Sequence, residues 1–299
     1  MSVIVDQLTK VYGEQTAVNS ISFTVNSGEI VGFLGPNGAG KSTTMKMLTC
    51  FIPQTAGKAS VCGFDTEKNS IDVRRNIGYL PEHNPLYPEM YVKEYLEFAA
   101  RLNGMKNADK RIEEMIGITG LTLERRKKIG QLSKGYRQRV GLAQAMLHNP
   151  KVLIMDEPTS GLDPNQLAEV RNLIKNIGKE KTVILSTHIM QEVQAICSRV
   201  IIINKSKIVA DDSVDGIQAQ QKGTTIIQVE FKENVDQKLI KNIPGVRSVK
   251  GDNKLVITYY GEGDIREQLF RFAVEHKYTL LNMHIEKQNL EDVFQELTK

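Results

Sequence analysis

The stretch GPNGAGKST at residues 35–43 constrains the fold of this chain more than any other. The apolar segment 30–34 before it predicts a short buried strand, and residues 41–51 carry apolar side chains at helical spacing. A glycine-rich loop between a strand and a helix exposes backbone N–H groups and a helix N-terminus, which together attract phosphate. An ordinary glycine-rich turn would not need both flanking elements. The pattern therefore predicts a phosphate-binding loop in an α/β domain.

Two side chains of this loop have separate predicted roles. Lys41 is expected to contact the β- and γ-phosphates of a nucleotide, and the Ser42 hydroxyl is expected to bind Mg²⁺. The residues that we predict to hold the nucleotide here are Gly35, Pro36, Asn37, Gly38, Ala39, Gly40, Lys41, Ser42 and Thr43.

The bulk composition is that of a globular protein. The chain has 299 residues, enough for a large and a small domain, and its net charge of +4 comes from dispersed basic residues. That charge is weak evidence for nucleic acid binding.

Cys50, Cys62 and Cys197 form no CxxC pair, so we expect buried, reduced thiols in a reducing cytosol. No signal peptide is recognisable, and no apolar run nears the roughly 18 residues of a membrane helix. Any role at a membrane is therefore expected to require a partner.

Two acids follow a second apolar strand, in KVLIMDEP at 151–158. Residues 152–155 predict a fully buried parallel strand, and open α/β sheets place ligands at the carboxyl ends of such strands. We expect Asp156 to hold the Mg²⁺ shell through water, and Glu157 to orient or deprotonate an attacking water. Paired acids at a strand end are often caps or salt-bridge partners, but the upstream phosphate loop favours catalysis.

Three further positions have both a functional and a structural explanation. His188 follows the predicted strand 181–187 and is a candidate contact to a γ-phosphate, although a lone histidine is usually structural. Tyr12 lies in a predicted hairpin, where its ring could stack on adenine or simply lie at a solvent-exposed strand edge. Asp163 is placed to cap a helix whose first residue is Pro164, which is a strong structural explanation.

A second anion site is suggested at the start of the helix predicted over 132–148. Ser133 is a plausible N-cap, and its hydroxyl, the N–H of Gly135 and the helix dipole converge at one point. Taken alone, a capped amphipathic helix explains the same residues.

The pattern of elements predicts two domains. Residues 1–220 form the first, in which apolar residues repeat at helical spacing through about 91–148, including LTLERRKKI, and predict a helical subdomain. Residues 223–299 form the second, with a β-α-β-β-α-β ferredoxin-like order and a terminal amphipathic helix at LEDVFQELT. Nothing in the second domain has catalytic spacing. It is either a regulatory or docking module or a stabilising appendage.

Taken together, these motifs resemble the ATP-binding cassette of ABC transporters across residues 1 to about 220. GPNGAGKST is similar to Walker A, VLIMDEP to Walker B, SGLD to the D-loop, LSKGYRQR to the signature motif and His188 to the switch histidine. The resemblance implies a P-loop NTPase fold with a mixed sheet core, an antiparallel β subdomain and a helical subdomain. It also implies an ATPase that uses ATP and Mg²⁺.

The resemblance implies partners as well. Members of the family act as head-to-tail homodimers bound to an integral-membrane permease, at the cytoplasmic face of the membrane. No direct nucleic acid partner is expected, because members that act on chromosomes or ribosomes have long coiled coils or two cassettes, and this chain has neither. A nucleotide-binding module that no longer hydrolyses ATP is a further alternative, which Glu157 and His188 argue against.

The family's site residues transfer to specific positions. Catalysis is implied for Glu157, His188 and Lys41, and nucleotide contacts for Tyr12, Ser133, Gly135 and Asp163 in addition to the loop. Metal binding is implied for Ser42, Glu82 and Asp156.

Two motifs depart from the family pattern. The signature carries Lys134 and Tyr136 where many members have Gly and Gln, and Glu82 stands where the family has the Q-loop glutamine. A carboxylate can still bind Mg²⁺, but it cannot donate an amide hydrogen bond and adds a negative charge beside the phosphates.

Finer resemblances concern the subclass. The βαββαβ unit looks like the C-terminal region of ABC-2 type ATPases. Residues 77–98 and 127–142 are similar to the gliding-motility-associated ABC transporter ATP-binding subunit.

Overall fold

A computed structural model describes residues 1–220, 224–252, 254–260 and 264–286, together with the single positions 291, 294 and 298. The predicted terminal helix at 290–298 falls mostly outside the described residues. The chain divides into two units, residues 1–214 and 215–297. No helix in these described ranges is long and apolar enough to cross a membrane.

The first unit is built from ten strands and seven helices in its described residues. The strands are β1 Val3–Tyr12, β2 Gln15–Val25, β3 Ile30–Leu34, β4 Ala56–Val61, β5 Phe64–Asp65, β6 Ile77–Leu80, β7 Val152–Asp156, β8 Thr182–Thr187, β9 Arg199–Asn204 and β10 Lys207–Ser213. The helices are α1 Lys41–Leu48, α2 Ser70–Asn76, α3 Val92–Leu102, α4 Asp109–Ile118, α5 Lys134–Met146, α6 Pro164–Gly178 and α7 Met190–Ile196, and α8 Val214–Gln220 follows at the boundary between the units.

The central sheet has six strands in the order β10-β9-β3-β8-β7-β6. All neighbouring pairs are parallel except β9 with β10, so the sheet is mixed, as predicted. Strands β7 and β8 are buried along their whole length, as expected for strands covered on both faces. Because β3, β7 and β8 are adjacent and parallel, the residues that follow them meet at one edge of the sheet.

A second, antiparallel sheet has the order β2-β1-β4-β5. Its apolar face shares a core with α1 and the central sheet, in which Val5, Phe33, Met45 and Ile154 are buried together. The hairpin of β1 and β2 turns at Gly13 as predicted, because β1 ends at residue 12 and β2 begins at residue 15. Tyr12 lies at the end of β1, where its side chain is exposed.

The helical subdomain contains α3, α4 and α5, but the helix predicted at LTLERRKKI is wrong. Residues 121–128 form turns, and only Ile129–Gln131 makes a short 3₁₀ helix. The carbonyls of Arg125 and Lys127 accept the N–H groups of Lys93 and Val92 at 3.2 and 3.1 Å. These are first-turn N–H groups of α3, which would otherwise lack partners. The tertiary contact therefore overrides the local helical pattern.

Two smaller expectations need correction. Helix α1 ends at Leu48 rather than near residue 51, and Cys50 just beyond it adopts a left-handed backbone with φ of 56°. The three cysteines are free, as predicted, but only Cys197 is buried, while Cys50 and Cys62 are half-buried.

The second unit has the predicted β-α-β-β-α-β order. Its elements are β11 Thr224–Phe231, α9 Gln237–Lys241, β12 Val246–Lys250, β13 Lys254–Tyr260, α10 Arg266–Glu275 and β14 Leu280–Glu286. The strands form an antiparallel sheet in the order β12-β13-β11-β14. A separate core holds it together, with Phe231, Ile257 and Leu269 at its centre.

Candidate active site

The glycine loop between β3 and α1 packs closely against neighbouring backbone at two of its glycines, where a side chain would not fit. A Cβ on Gly35 would lie 2.3 Å from the carbonyl oxygen of Ile203, and a Cβ on Gly40 would lie 2.4 Å from that of Ala17. Gly38 and Gly40 also have φ values of 80° and 110°, which favour glycine. Helix α1 then begins at Lys41 with no side-chain cap, so its first N–H groups are available to an anion.

Lys41 is buried beside the loop that it follows. Its Nζ donates to the carbonyl oxygens of Gly35 and Pro36 at 2.8 and 3.2 Å, and lies 3.7 Å from Oε1 of Glu157. Burial lowers the pKa of Lys41, while the charges of Glu157 and Asp156 oppose that shift. The lysine therefore holds the loop closed and places a positive charge where phosphates would lie.

The two acids at the end of β7, Asp156 within the strand and Glu157 just after it, are buried and have different surroundings. Asp156 accepts a hydrogen bond from Ser186 Oγ at 2.7 Å. The N–H of Glu157 donates to the Ser186 carbonyl oxygen at 2.8 Å, and its carboxylate lies 2.9 Å from Nδ1 of His188. Glu157 has a left-handed backbone with φ of 50°, which is uncommon outside glycine and concentrates at functional sites.

A cavity of about 610 Å³ joins these groups. It brings together the predicted residues Tyr12, Asn37, Gly38, Gly40, Lys41, Ser42, Thr43, Glu82, Glu157 and His188. Gln15 and Ala17, for which the sequence predicts no role, also line it, as does Ser160, the first residue of the SGLD segment. Tyr12 is 47% exposed, with Lys10 Nζ 5.0 Å from its ring centroid, so one end of the cavity has an accessible aromatic ring.

Six predicted nucleotide contacts do not line this cavity, namely Gly35, Pro36 and Ala39 within the loop and Ser133, Gly135 and Asp163 outside it. Ser133 caps α5, accepting the N–H of Tyr136 at 3.4 Å, and it also accepts a hydrogen bond from Gln166 Nε2 at 3.4 Å. A Cβ on Gly135 would lie 2.6 Å from Oε1 of the same glutamine. Asp163 caps α6 through the N–H groups of residues 165 and 166. Within one chain, Ser133 and Asp163 therefore act as helix N-caps, which is the structural role that their positions in the sequence allowed.

The three predicted metal ligands share a second, adjoining cavity of about 420 Å³. Ser42, Glu82 and Asp156 all line it, and the buried Tyr79 hydroxyl in its wall has no hydrogen-bond partner among the described residues. Burial raises the pKa of Tyr79, so the hydroxyl stays a donor. The described residues contain no group of three or more His, Cys, Asp or Glu side chains that could hold a metal alone. The oxygen atoms of Ser42, Glu82 and Asp156 are too few to hold an ion alone. They suit Mg²⁺, which commonly takes its remaining ligands from phosphates and water.

Sequence reasoning missed a buried acid beside the site. Glu192 on α7 is fully buried, and its carboxylate accepts hydrogen bonds from the hydroxyls of Thr159 and Thr187. Burial raises the pKa of Glu192, and the two hydroxyls oppose that shift. An acid in the first turn of a short helix is common in sequences, so no motif marks it.

Comparisons with known proteins agree with this fold and site. The ABC transporter family profile matches residues 18–160. The chain is 32% identical to the linearmycin resistance ATP-binding protein LnrL of Bacillus subtilis, over 98% of this chain and 97% of LnrL. It is 34% identical to the bacitracin transport ATP-binding protein BcrA of Bacillus licheniformis, over 97% of this chain and 95% of BcrA.

Solved structures that are similar to this chain include an ABC transporter cassette. The dimeric bacterial ABC transporter cassette MJ0796 is 26% identical with a TM-score of 0.65, over 71% of this chain and 98% of the cassette. The same cassette in a dimeric post-hydrolysis state, bound to ADP and Pi, matches with the same TM-score, identity and coverage.

Fold and site together define a P-loop ATPase. The chain belongs to the family of ABC transporter ATP-binding proteins, and it is an ATP-hydrolysing subunit of a transporter.

Proposed function

We propose that this chain powers a membrane exporter as a head-to-tail homodimer, in which two Mg²⁺-dependent ATP sites are each shared between both copies. One observation carries the proposal. The cavity unites the phosphate loop, Glu157 and His188, whereas Ser133 and Gly135 of the same chain lie outside its lining. A nucleotide in the cavity therefore needs a second chain to supply the signature contacts.

Within one chain, different residues of the cavity bind the phosphates and the adenine of the nucleotide. The backbone N–H groups of residues 35–43 bind the phosphates, and Lys41 neutralises charge on the β- and γ-phosphates. Tyr12 stacks on the adenine through its accessible ring. The second copy contributes the Ser133 hydroxyl and the N–H of Gly135 at the start of its α5, with Asp163 beside them.

Mg²⁺ would be held by Ser42, Glu82 and Asp156. When bound, it neutralises phosphate charge and orients the phosphate chain for attack. Asp156 acts through water, because Ser186 already occupies one of its oxygens. The Tyr79 hydroxyl supplies a donor to a water in the same cavity.

Hydrolysis depends on Glu157 and His188. Glu157 orients a water and accepts its proton, and the hydrogen bond from His188 at 2.9 Å fixes the direction of the carboxylate. Developing negative charge on the γ-phosphate is stabilised by Lys41, by His188 and by the second copy's signature helix. Release of phosphate then separates the two copies.

The proposed setting is the cytoplasmic face of a membrane, against an integral-membrane permease. Linearmycin resistance and bacitracin transport, in the names of the relatives, support export as the direction. We propose an ABC-2 type transporter, with residues 1–220 as the cassette and 223–299 as an accessory domain that regulates or docks. Membership of a gliding-motility transporter rests on the resemblance of residues 77–98 and 127–142.

Two measurements test this function. Purified chain is expected to release phosphate from ATP only with Mg²⁺, and a membrane protein is expected to copurify with it from its native cells. Absence of phosphate release would indicate a non-hydrolysing regulator. Copurification with ribosomes or DNA instead of a membrane protein would contradict the transport function.

The Glu82→Gln variant tests the unusual Q-loop residue. Removing one negative charge beside the phosphates is expected to tighten ATP binding several-fold, to roughly 10-fold, and to raise the Mg²⁺ concentration needed for half-maximal activity. Titrations of ATP and Mg²⁺ on both proteins measure the two effects, with half-buried Glu97→Gln on α3 as the control. Unchanged dependence on both would show that Glu82 does not touch the metal site.

A further inference from the structure

Glu192 is a buried acid to which the proposed reaction assigns no role. It lies on α7, is 0% exposed, and comes within 2.8 Å of the Thr187 hydroxyl through Oε2, while Oε1 accepts from the Thr159 hydroxyl. A buried carboxylate is costly unless its oxygens are hydrogen-bonded. The two threonines belong to the two segments that carry the proposed catalytic pair: Thr187 ends β8 just before His188, and Thr159 lies two residues after Glu157.

The Thr187 hydroxyl stands between two carboxylates. Its oxygen is 2.8 Å from Glu192 and 3.4 Å from Oε2 of Glu157, and it accepts the N–H of Ile189 at 3.1 Å. A hydroxyl has one hydrogen, so it can donate to only one of the two acids at a time. The shorter distance assigns that hydrogen to Glu192.

We propose that Glu192 is a positioning residue, which holds the Thr187 hydrogen away from Glu157. Oε2 of Glu157 already lies 2.9 Å from His188 Nδ1, so without a second donor it keeps a lone pair for the attacking water. The proposal rests on the role of Glu157 in the proposed function. If Glu192 did not take this hydrogen, Thr187 would donate to Glu157 and compete with the water for the same lone pairs. Through Thr159, the same carboxylate fixes the start of the loop that follows Glu157.

The Glu192→Ala variant tests this directly. It frees the Thr187 hydroxyl to turn to Glu157, so kcat is expected to fall roughly 10-fold while KM for ATP changes less than about 2-fold. Because removing a buried side chain can destabilise the fold, Glu192→Gln is measured beside it. Both variants are checked for ATP binding and for thermal unfolding.

A double-mutant cycle with Thr187→Val separates positioning from packing. Without the Thr187 hydroxyl there is no hydrogen to hold, so Glu192→Ala is expected to lower kcat little further in that background. Thr119→Val is the matched control, since its buried hydroxyl donates to the Met115 carbonyl in the helical subdomain. In the control background, Glu192→Ala should keep its full roughly 10-fold effect.

The outcomes distinguish this inference from the proposed function. If Glu192→Ala lowers kcat equally with and without the Thr187 hydroxyl, its role is packing alone and the inference is wrong. A wild-type kcat in both Glu192 variants would also overturn it, provided that Glu157→Gln is inactive. If Glu157→Gln hydrolyses ATP normally, the proposed reaction is wrong, whatever the result for Glu192.

Discussion

Replacing Glu157 with glutamine is expected to reduce ATP hydrolysis at least roughly 100-fold while leaving nucleotide binding intact. The amide has the same size and can keep a hydrogen bond with His188, but it cannot accept a proton from water. The charge beside Lys41 is also lost, which favours binding of the anionic nucleotide. The variant is therefore expected to accumulate as an ATP-bound dimer.

Phosphate release and size-exclusion chromatography with Mg²⁺ and ATP measure the two effects together. Exposed Glu180→Gln, at the opposite edge of the central sheet, serves as the control and should hydrolyse ATP like wild type. If Glu157→Gln stays monomeric with Mg²⁺ and ATP while wild type hydrolyses it, the chain does not work as a nucleotide-bridged dimer.

Replacing Lys41 with methionine is expected to weaken ATP binding by about 10- to 100-fold, since a hydrogen bond to a charged group contributes roughly 1.5–3 kcal/mol. The substitution removes the ammonium but keeps an unbranched side chain in a buried position. It also removes the two hydrogen bonds that Nζ donates to the loop carbonyls. Loss of the ammonium removes a contact to the phosphates, and loss of the two hydrogen bonds loosens the loop that binds them.

Equilibrium binding of a fluorescent ATP analogue measures this loss. Exposed Lys58→Met on β4 is the control for a general loss of positive charge. Wild-type affinity in Lys41→Met would show that the loop after β3 does not bind the phosphates.

Much of the fold could be predicted because a few strong local patterns agree with one another. The apolar segments that precede Gly35, Asp156 and His188 predict buried strands, and parallel strands place their carboxyl ends at one edge of the sheet. The structure places those three strands side by side, so the distances of 2.9 Å and 3.7 Å around Glu157 follow from topology.

Other features depend on contacts between distant parts of the chain, which local patterns do not encode. The turns at residues 121–128 form because they satisfy the start of α3, against their own helical spacing. Glu192 makes its buried hydrogen bonds with Thr159 and Thr187 only once α7 packs beside the segments that hold those threonines. The left-handed backbone of Glu157 is likewise invisible in its sequence, since a glutamate, unlike a glycine or an asparagine, gives no local signal for a positive φ.

The most direct test of the shared site mixes two inactive variants. Lys41→Met disables the phosphate loop, and Gly135→Glu places a carboxylate at the start of α5 where the second copy's phosphates would lie. A mixed dimer contains one site that draws its loop from the Gly135 variant and its signature from the Lys41 variant, so both halves of that site are intact. Random pairing is therefore expected to restore roughly one quarter of wild-type phosphate release. If the mixture stays as inactive as either folded variant alone, each site is built within a single chain and the account is wrong.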